Sequence, residues 1–215
     1  MSVDIESLRI VLNDEHRQGV DWEAIVSDFH TVALKKENNP IWTDKKFSIS
    51  IGEVSKEDYK VLLDALDTVG QVTQAPQLSL VLKQGLQQGM ELALGEDKPN
   101  VHLNVLLEKS VNDQPQLSIM PQIGYPVKEA GKKTVLNLKA ETTVGLNQGT
   151  TIVVGGIITE QEVTKTHKFP LLGDLPLVGL VFRSKGRLMQ KSETIIFITP
   201  HVMLKETTDD QGKDK

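Results

Sequence analysis

From Ile5 to Leu12 the chain reads IESLRIVL, with Leu8, Ile10 and Leu12 alternating against Ser7, Arg9 and Val11. FSISI sets Phe47, Ile49 and Ile51 against Ser48 and Ser50, and LSLVLK sets Leu78, Leu80 and Leu82 against Ser79, Val81 and Lys83. MELAL, HLNVLL and VLNLKAE repeat the scheme with Met90, Leu92 and Leu94, then Leu103, Val105 and Leu107, then Leu136, Leu138 and Ala140. A period of two predicts strands with one apolar and one wetted face. Turn-formers space these runs, EDKP at 96–99, NDQP at 112–115 and LNQG at 146–149, as in an antiparallel β-protein. Two sheets can hide such faces against each other as a sandwich, or a barrel wall can present one face to water. Alternation alone leaves both open.

One helix is expected. Ser55 suits an N-cap, Asp58 stands three residues on as an approximate capping box, and Val54 and Tyr59 are spaced as a hydrophobic staple. Tyr59, Leu62, Leu63 and Leu66 follow the helical spacing, and Gly70 sits where the helix should stop. Asp21 to Phe29 reads as a second, shorter helix or a loop.

At 215 residues the chain is long enough for one large domain or two small ones. It is 25% charged and 39% apolar, which is not a disordered composition. Aromatics are only 4%, so leucine, isoleucine and valine must make the core. The net charge of −5 and the lack of a basic run argue against nucleic acid as a partner. No cysteine is present, which excludes disulfides, thiolate metal sites and a thiol nucleophile.

No nucleophile elbow, zincin helix, phosphate loop or dinucleotide fingerprint occurs, so nothing points to an enzyme and no cofactor is implied. His16, His30, His102, His167 and His201 are scattered singly; DEH at 14–16 and DFH at 28–30 read as solvated charges rather than metal ligands. Gly85 with Gly89, and Gly145 with Gly149, read as turn or bulge glycines. The N-terminus lacks the basic flank and apolar core of a secretory signal.

One segment fits none of this. FPLLGDLPLVGLVF, Phe169 to Phe182, has nine large apolar residues of fourteen and a single charge, Asp174. It is short of the roughly 20 apolar residues a spanning helix needs. Its prolines and glycines also break a strand. The run GTTIVVGGIITEQ, with Gly155 and Gly156, precedes it; the polar RSKGRLMQKSE and then TIIFITPHVM follow it. These blocks, in this order, resemble the signature of the bacterial secretins, the outer-membrane pores of type II and type III secretion, type IV pilus and filamentous-phage export systems. Upstream, VTQAPQLSLVL, LSIMPQIG, LNQGTTIVVGG and the opening IESLRIVLNDEHRQGVDW keep the family's order more loosely.

The resemblance implies a fold that is mainly β with one clear α-helix, its antiparallel strands contributed to a multi-subunit β-barrel with an inner gate. Residues 1–204 would be the pore domain and 205–215 a disordered polar tail. The function implied is that of an outer-membrane channel subunit exporting protein, pilus or phage. The competing reading is a soluble β-rich ring or scaffold module that forms no pore by itself. Family members are longer and carry a signal peptide and periplasmic ring domains, so this chain is expected to be a fragment. Implied partners are copies of itself in a ring, outer-membrane lipid, secreted protein or pilus cargo, a pilot lipoprotein and inner-membrane secretion components.

The resemblance also suggests sites. Phe169, Pro170, Leu171, Leu172, Gly173, Leu175, Pro176, Leu177, Val178, Gly179, Leu180 and Phe182 would form a loop at the membrane interface, linking strands at Ile152–Ile158 and Thr194–Ile198. Arg183, Lys185 and Arg187 would follow at lipid phosphates. Gly155 and Gly156 would bend a wall or gate strand, or form an ordinary bulge. Ile195, Ile196, Phe197 and Ile198, unguarded by proline or lysine, would be the edge that pairs subunits. The gate would lie between Gly85 and Gly124.

Overall fold

A computed structural model describes residues 1–16, 18–37, 43–93, 100–129, 132–168 and 183–201. Its strands are β1 (Ser2–Leu12), β2 (Ser27–Lys36), β3 (Thr43–Ser55), β4 (Gly70–Gln74), β5 (Leu78–Val81) and β6 (Gln87–Ala93). They continue as β7 (Asn100–Leu107), β8 (Gln116–Glu129), β9 (Lys132–Lys139), β10 (Thr142–Gly145), β11 (Thr150–Lys168) and β12 (Arg183–His201). All join one sheet, ordered β4-β1-β12-β11-β3-β2-β9-β8-β7-β6, with β5 beside β1 and β10 beside β8. Every strand pair is antiparallel, and the sheet ends at β6 and at the β4/β5 side without closing.

The sheet folds over on itself at a narrow junction, where β2 meets β9 only through Lys35 and Lys36. The larger core lies inside the fold. Val3, Ile5, Ile49, Ile51, Ile152, Val154, Ile196 and Ile198 come from one half, and Leu103, Val105, Leu117, Ile119, Ile123 and Leu138 from the other. This is the arrangement in which alternating strands bury one face against another sheet. Of the expected apolar positions, Leu82, Leu92, Leu103, Val105, Leu138 and Ala140 are buried, whereas Leu78 is exposed.

The central strands are buried on both faces. Helix α1 (Lys56–Val69) and residues around Trp22 and Val26 cover the opposite face, over Leu8, Ile10, Leu12, Val54, Val153, Ile195 and Phe197. In β1 the buried parity therefore changes partway: Val3 and Ile5 face the larger core, Leu8, Ile10 and Leu12 the helix side.

The helix starts as its sequence requires. The Asp58 N–H donates to Ser55 Oγ at 3.1 Å, and the Ser55 hydroxyl donates to Asp58 Oδ2 at 2.7 Å. Leu62 and Leu66 are buried, and Tyr59 packs into the cluster that holds Val54. Ser55→Ala is expected to cost about 1 kcal/mol in urea unfolding; no change would mean that the cap contributes nothing. Gly70 ends the helix in extended backbone, φ 177°, and runs straight into β4. A Cβ there would stand 2.1 Å from the Val11 carbonyl oxygen, so close backbone approach selects the glycine.

Asp21 to Phe29 forms no helix; a turn at residues 23–25 leads into β2, which the sequence reading missed. The NDQP turn is a tight two-residue connection, with Asn112 at φ 49° and Asp113 at φ 63°. Val111 and Gln114 exchange backbone hydrogen bonds of 3.0 Å across it. Gly85 and Gly149 occupy positive-φ turn positions as expected, while the EDKP turn lies outside the described residues.

Candidate functional site

The longest pairing in the molecule joins β11 to β12, from Ile152↔Ile198 out to Lys168↔Arg183. Only its inner part lies within the sheet. β3 accompanies β11 from Thr150 to Gly155, and β1 accompanies β12 from His201 to Ser192. Beyond that, among the described residues, 160–168 and 183–191 pair only with each other. They form a two-stranded ribbon roughly 30 Å long at about 3.3 Å per residue. Among the described residues neither of its outer edges has a strand partner.

Register and composition make the ribbon unlike the core strands. One alternation runs Ile158/Glu193, Glu160/Lys191, Glu162/Met189, Thr164/Arg187, Thr166/Lys185 and Lys168/Arg183. The other runs Thr159/Ser192, Gln161/Gln190, Val163/Leu188, Lys165/Gly186 and His167/Ser184. Polar residues dominate both. Lys191 and Glu160 form a salt bridge of 3.0 Å across the strands.

Where the ribbon leaves the sheet, the register shifts between Val154 and Ile157. This is a β-bulge, and Gly156 carries its left-handed residue at φ +81°. Gly155 serves differently. A Cβ on it would lie 2.4 Å from Trp22 Cε2, so the missing side chain lets the indole rest on the strand. The glycine pair thus forms a bulge near the base of the ribbon.

Glu193, fully buried, faces the bulge from β12. Its Oε1 accepts from Trp22 Nε1 at 2.6 Å and from the Gly156 N–H at 2.7 Å, and its Oε2 accepts from the Val20 N–H at 2.9 Å. A cleft of about 720 Å³ opens beside it where β11 parts from β3, lined by Gly19, Ser48, Ser50, Tyr125, Lys191 and neighbours. Sequence reasoning did not single out Glu193, and met Trp22 only as the end of the loosely matching opening IESLRIVLNDEHRQGVDW. They stand 171 positions apart, and no local pattern links them.

Burial pushes the Glu193 carboxyl above its usual range, while its hydrogen-bond donors pull it down less strongly. The fold then holds this proton more tightly than the unfolded chain does. Stability from the group is present below the ordinary carboxylate value and is lost as pH rises through the raised one. Asp4 has the opposite sign. The Ser79 hydroxyl at 2.5 Å and His201 Nε2 at 2.8 Å hold it below the usual range. Its contribution is present above the ordinary value and lost as pH falls through the lowered one. Melting temperatures from about pH 3 to about pH 8 should lose the first slope in Glu193→Gln and part of the acid limb in Asp4→Asn. Profiles parallel to the parent would contradict these assignments.

The remaining sequence-level sites fall out unevenly. Ile195, Ile196, Phe197 and Ile198 are no open edge: β1 pairs with them on one side, Ile152 to Val154 pair on the other, and all four are at most 1% exposed. Four consecutive apolar residues mark a strand covered on both faces, which places it in the middle of a sheet. The unpaired edges lie further out, on the ribbon. The loop Phe169–Phe182 lies outside the described residues, and its flanks Lys168 and Arg183 are paired strand ends. Among the described residues no group of three or more His, Cys, Asp or Glu could hold a metal ion, and no helix is long and apolar enough to cross a membrane.

The sequence model of one family, "Secretin: Bacterial type II and III secretion system protein", matches residues 93–204, which take in β7 to β12. Competence protein E of Haemophilus influenzae is 28% identical over 186 residues, 82% of this chain and 37% of that protein. An alignment of that length reaches well upstream of residue 93. Secretin GspD of Vibrio cholerae is 30% identical over 112 residues, 51% of this chain and 17% of that protein. The type IV pilus biogenesis and competence protein PilQ of Neisseria meningitidis is 36% identical over 77 residues, 34% of this chain and 10% of that protein. This chain thus matches between a tenth and somewhat over a third of each of these relatives. Among solved structures, Aeromonas hydrophila ExeD aligns with a TM-score of 0.35 at 17% identity, covering 94% of this chain and 48% of that one. The secretin GspD of Escherichia coli K12 gives 0.34 at 15%, covering 92% and 49%. Secretins are channel proteins and not enzymes. With the family match spanning the whole hairpin and its glycine bulge, the chain belongs to the secretin family, as a secretin domain of bacterial secretion and pilus machines.

Proposed function

We propose that this chain works as one subunit of a ring-shaped, gated outer-membrane channel, to which it contributes the β11–β12 ribbon as part of a shared wall. The ribbon with two unpaired edges carries this reading. A two-stranded ribbon is marginal in water by itself, and its free edges seek partners. Identical ribbons placed side by side by a closing rotation give each edge a strand and leave none open.

The polar residues on both alternations suit a wall wetted inside and out over most of its height. Lipid contact then falls to the tip, where Phe169, Leu171, Leu172, Leu175, Leu177, Val178, Leu180 and Phe182 meet the membrane interface and Arg183, Lys185 and Arg187 meet anionic headgroups. Residues 1–204 act as the pore domain, with 205–215 as a polar tail. The gate lies between Gly85 and Gly124, on β6, β7 and the start of β8, at the free end of the sheet. Folded protein, pilus or phage passes through the water-filled lumen, with a pilot lipoprotein and inner-membrane components as further partners. The name of the type IV pilus biogenesis relative favours a pilus cargo within that range.

Negative-stain electron microscopy in mild detergent, beside an unheated SDS gel, tests the proposal. Rings with a stain-filled lumen and a persistent high-mass band are expected. A monomer that stays soluble without detergent would replace the channel with the scaffold reading. Leu175→Asp with Leu177→Asp should then cut liposome binding by assembled rings; undiminished binding would remove the tip from the membrane.

A further inference from the structure

We propose that Glu193 is a positioning residue: it clamps the segment after β1 across the glycine bulge and so fixes the direction in which the β11–β12 ribbon leaves the sheet. Its consequence for assembly rests on the ribbon's role as a wall element; the clamp itself does not.

One carboxylate ties three separate pieces of chain together. It stands on β12, takes the Gly156 N–H from β11, and takes Val20 N–H and Trp22 Nε1 from the segment between β1 and β2. The surroundings are cleared for it. Gly155 admits the indole, Gly156 adopts φ +81°, and at Gly19, φ +102°, an added Cβ would sit 3.1 Å from Glu193 Oε2. Both oxygens are used and the group is fully buried, so the arrangement cannot drift without leaving a buried charge or donor unpaired.

The lever arm makes this matter. A ribbon of about 30 Å turned by about 10° moves its far end by about 5 Å, a full spacing of roughly 4.8 Å between neighbouring strands. Ribbons must therefore leave each subunit at one angle if their outer ends are to pair. The bulge alone is a bend that can hinge. Glu193 and Trp22 hold it from the cleft side, where β3 no longer accompanies β11.

The chain has no cysteine, so spin labels can be placed at will. Labels at Val61→Cys on the exposed side of α1 and Lys165→Cys on the ribbon report the exit angle by double electron–electron resonance, with labelled chain diluted in unlabelled chain. A control pair, Val61→Cys and Val111→Cys, reports the sheet away from the ribbon; Val61 and Val111 are 65% and 58% exposed. Glu193→Gln keeps one carbonyl acceptor but turns an amide N–H toward the Val20 N–H. The milder Trp22→Phe keeps the aromatic volume and deletes its donor. A single narrow ribbon distance is expected in the parent, broadened in both variants while the control pair stays narrow. An unchanged ribbon distance in either folded variant, or equal broadening of both pairs, would overturn the clamp. In micrographs, broadened ribbons should accompany rings of scattered diameter or none. If the distances broaden but the parent itself forms no rings, the clamp stands and the channel reading fails.

Discussion

Phe197→Ala is expected to lower the unfolding free energy by about 3–5 kcal/mol, the range for removing a fully buried phenylalanine. The ring is 1% exposed between helix α1 and the sheet. It meets Tyr59 edge to face, with centroids 5.1 Å apart and planes at 87°. Truncation loses that contact and leaves a cavity beneath the helix, whose Leu62 and Leu66 are already packed in the same cluster and cannot close the gap freely. For a domain whose whole stability is about 5–15 kcal/mol, this is a large share. Urea unfolding beside Val61→Ala, an exposed helix position expected to change stability by less than about 0.5 kcal/mol, gives the comparison. A loss below about 1 kcal/mol for Phe197→Ala would mean that the ring is not packed beneath the helix.

Prolines on the ribbon should abolish assembly without unfolding the subunit, provided they fall on the outward side. Successive residues of an antiparallel strand point their N–H groups alternately at the partner strand and away from it. Gln161 and Glu162 are adjacent on β11, opposite Gln190 and Met189, in the part that β3 does not accompany. Of Gln161→Pro and Glu162→Pro, one therefore removes an N–H that the chain itself uses and the other an N–H offered outward. Proline is tolerated at the outward position of an edge strand. That variant should keep the parent melting temperature and lose its rings and high-mass band. Its partner should weaken the ribbon itself. Rings in both variants would mean that this edge does not pair subunits.

Much of the fold was legible because burial writes itself into local pattern. In β1 the apolar parity changes between Ile5 and Leu8 in the letters themselves, and the structure places those halves against different cores. Ser55, Asp58 and the leucines of α1 needed only near neighbours. IIFIT was misread although its signal was present: consecutive apolar residues mean two covered faces, hence a central strand. β2 escaped because Val32 and Leu34 give it only a brief apolar alternation among polar residues.

The sequence by itself determined helix α1 and most of the strand segments, the absence of familiar catalytic motifs, and the resemblance carried by the residues around the two glycines. These depend on periods of two or of 3.6 and on backbone freedom at single positions, all of which short stretches encode. Only the tertiary structure decided which strands are central and where the sheet stops pairing. It alone brought Glu193 to Trp22, because a contact between residues 171 positions apart is made by the packing of the whole sheet and leaves no periodic trace in the chain.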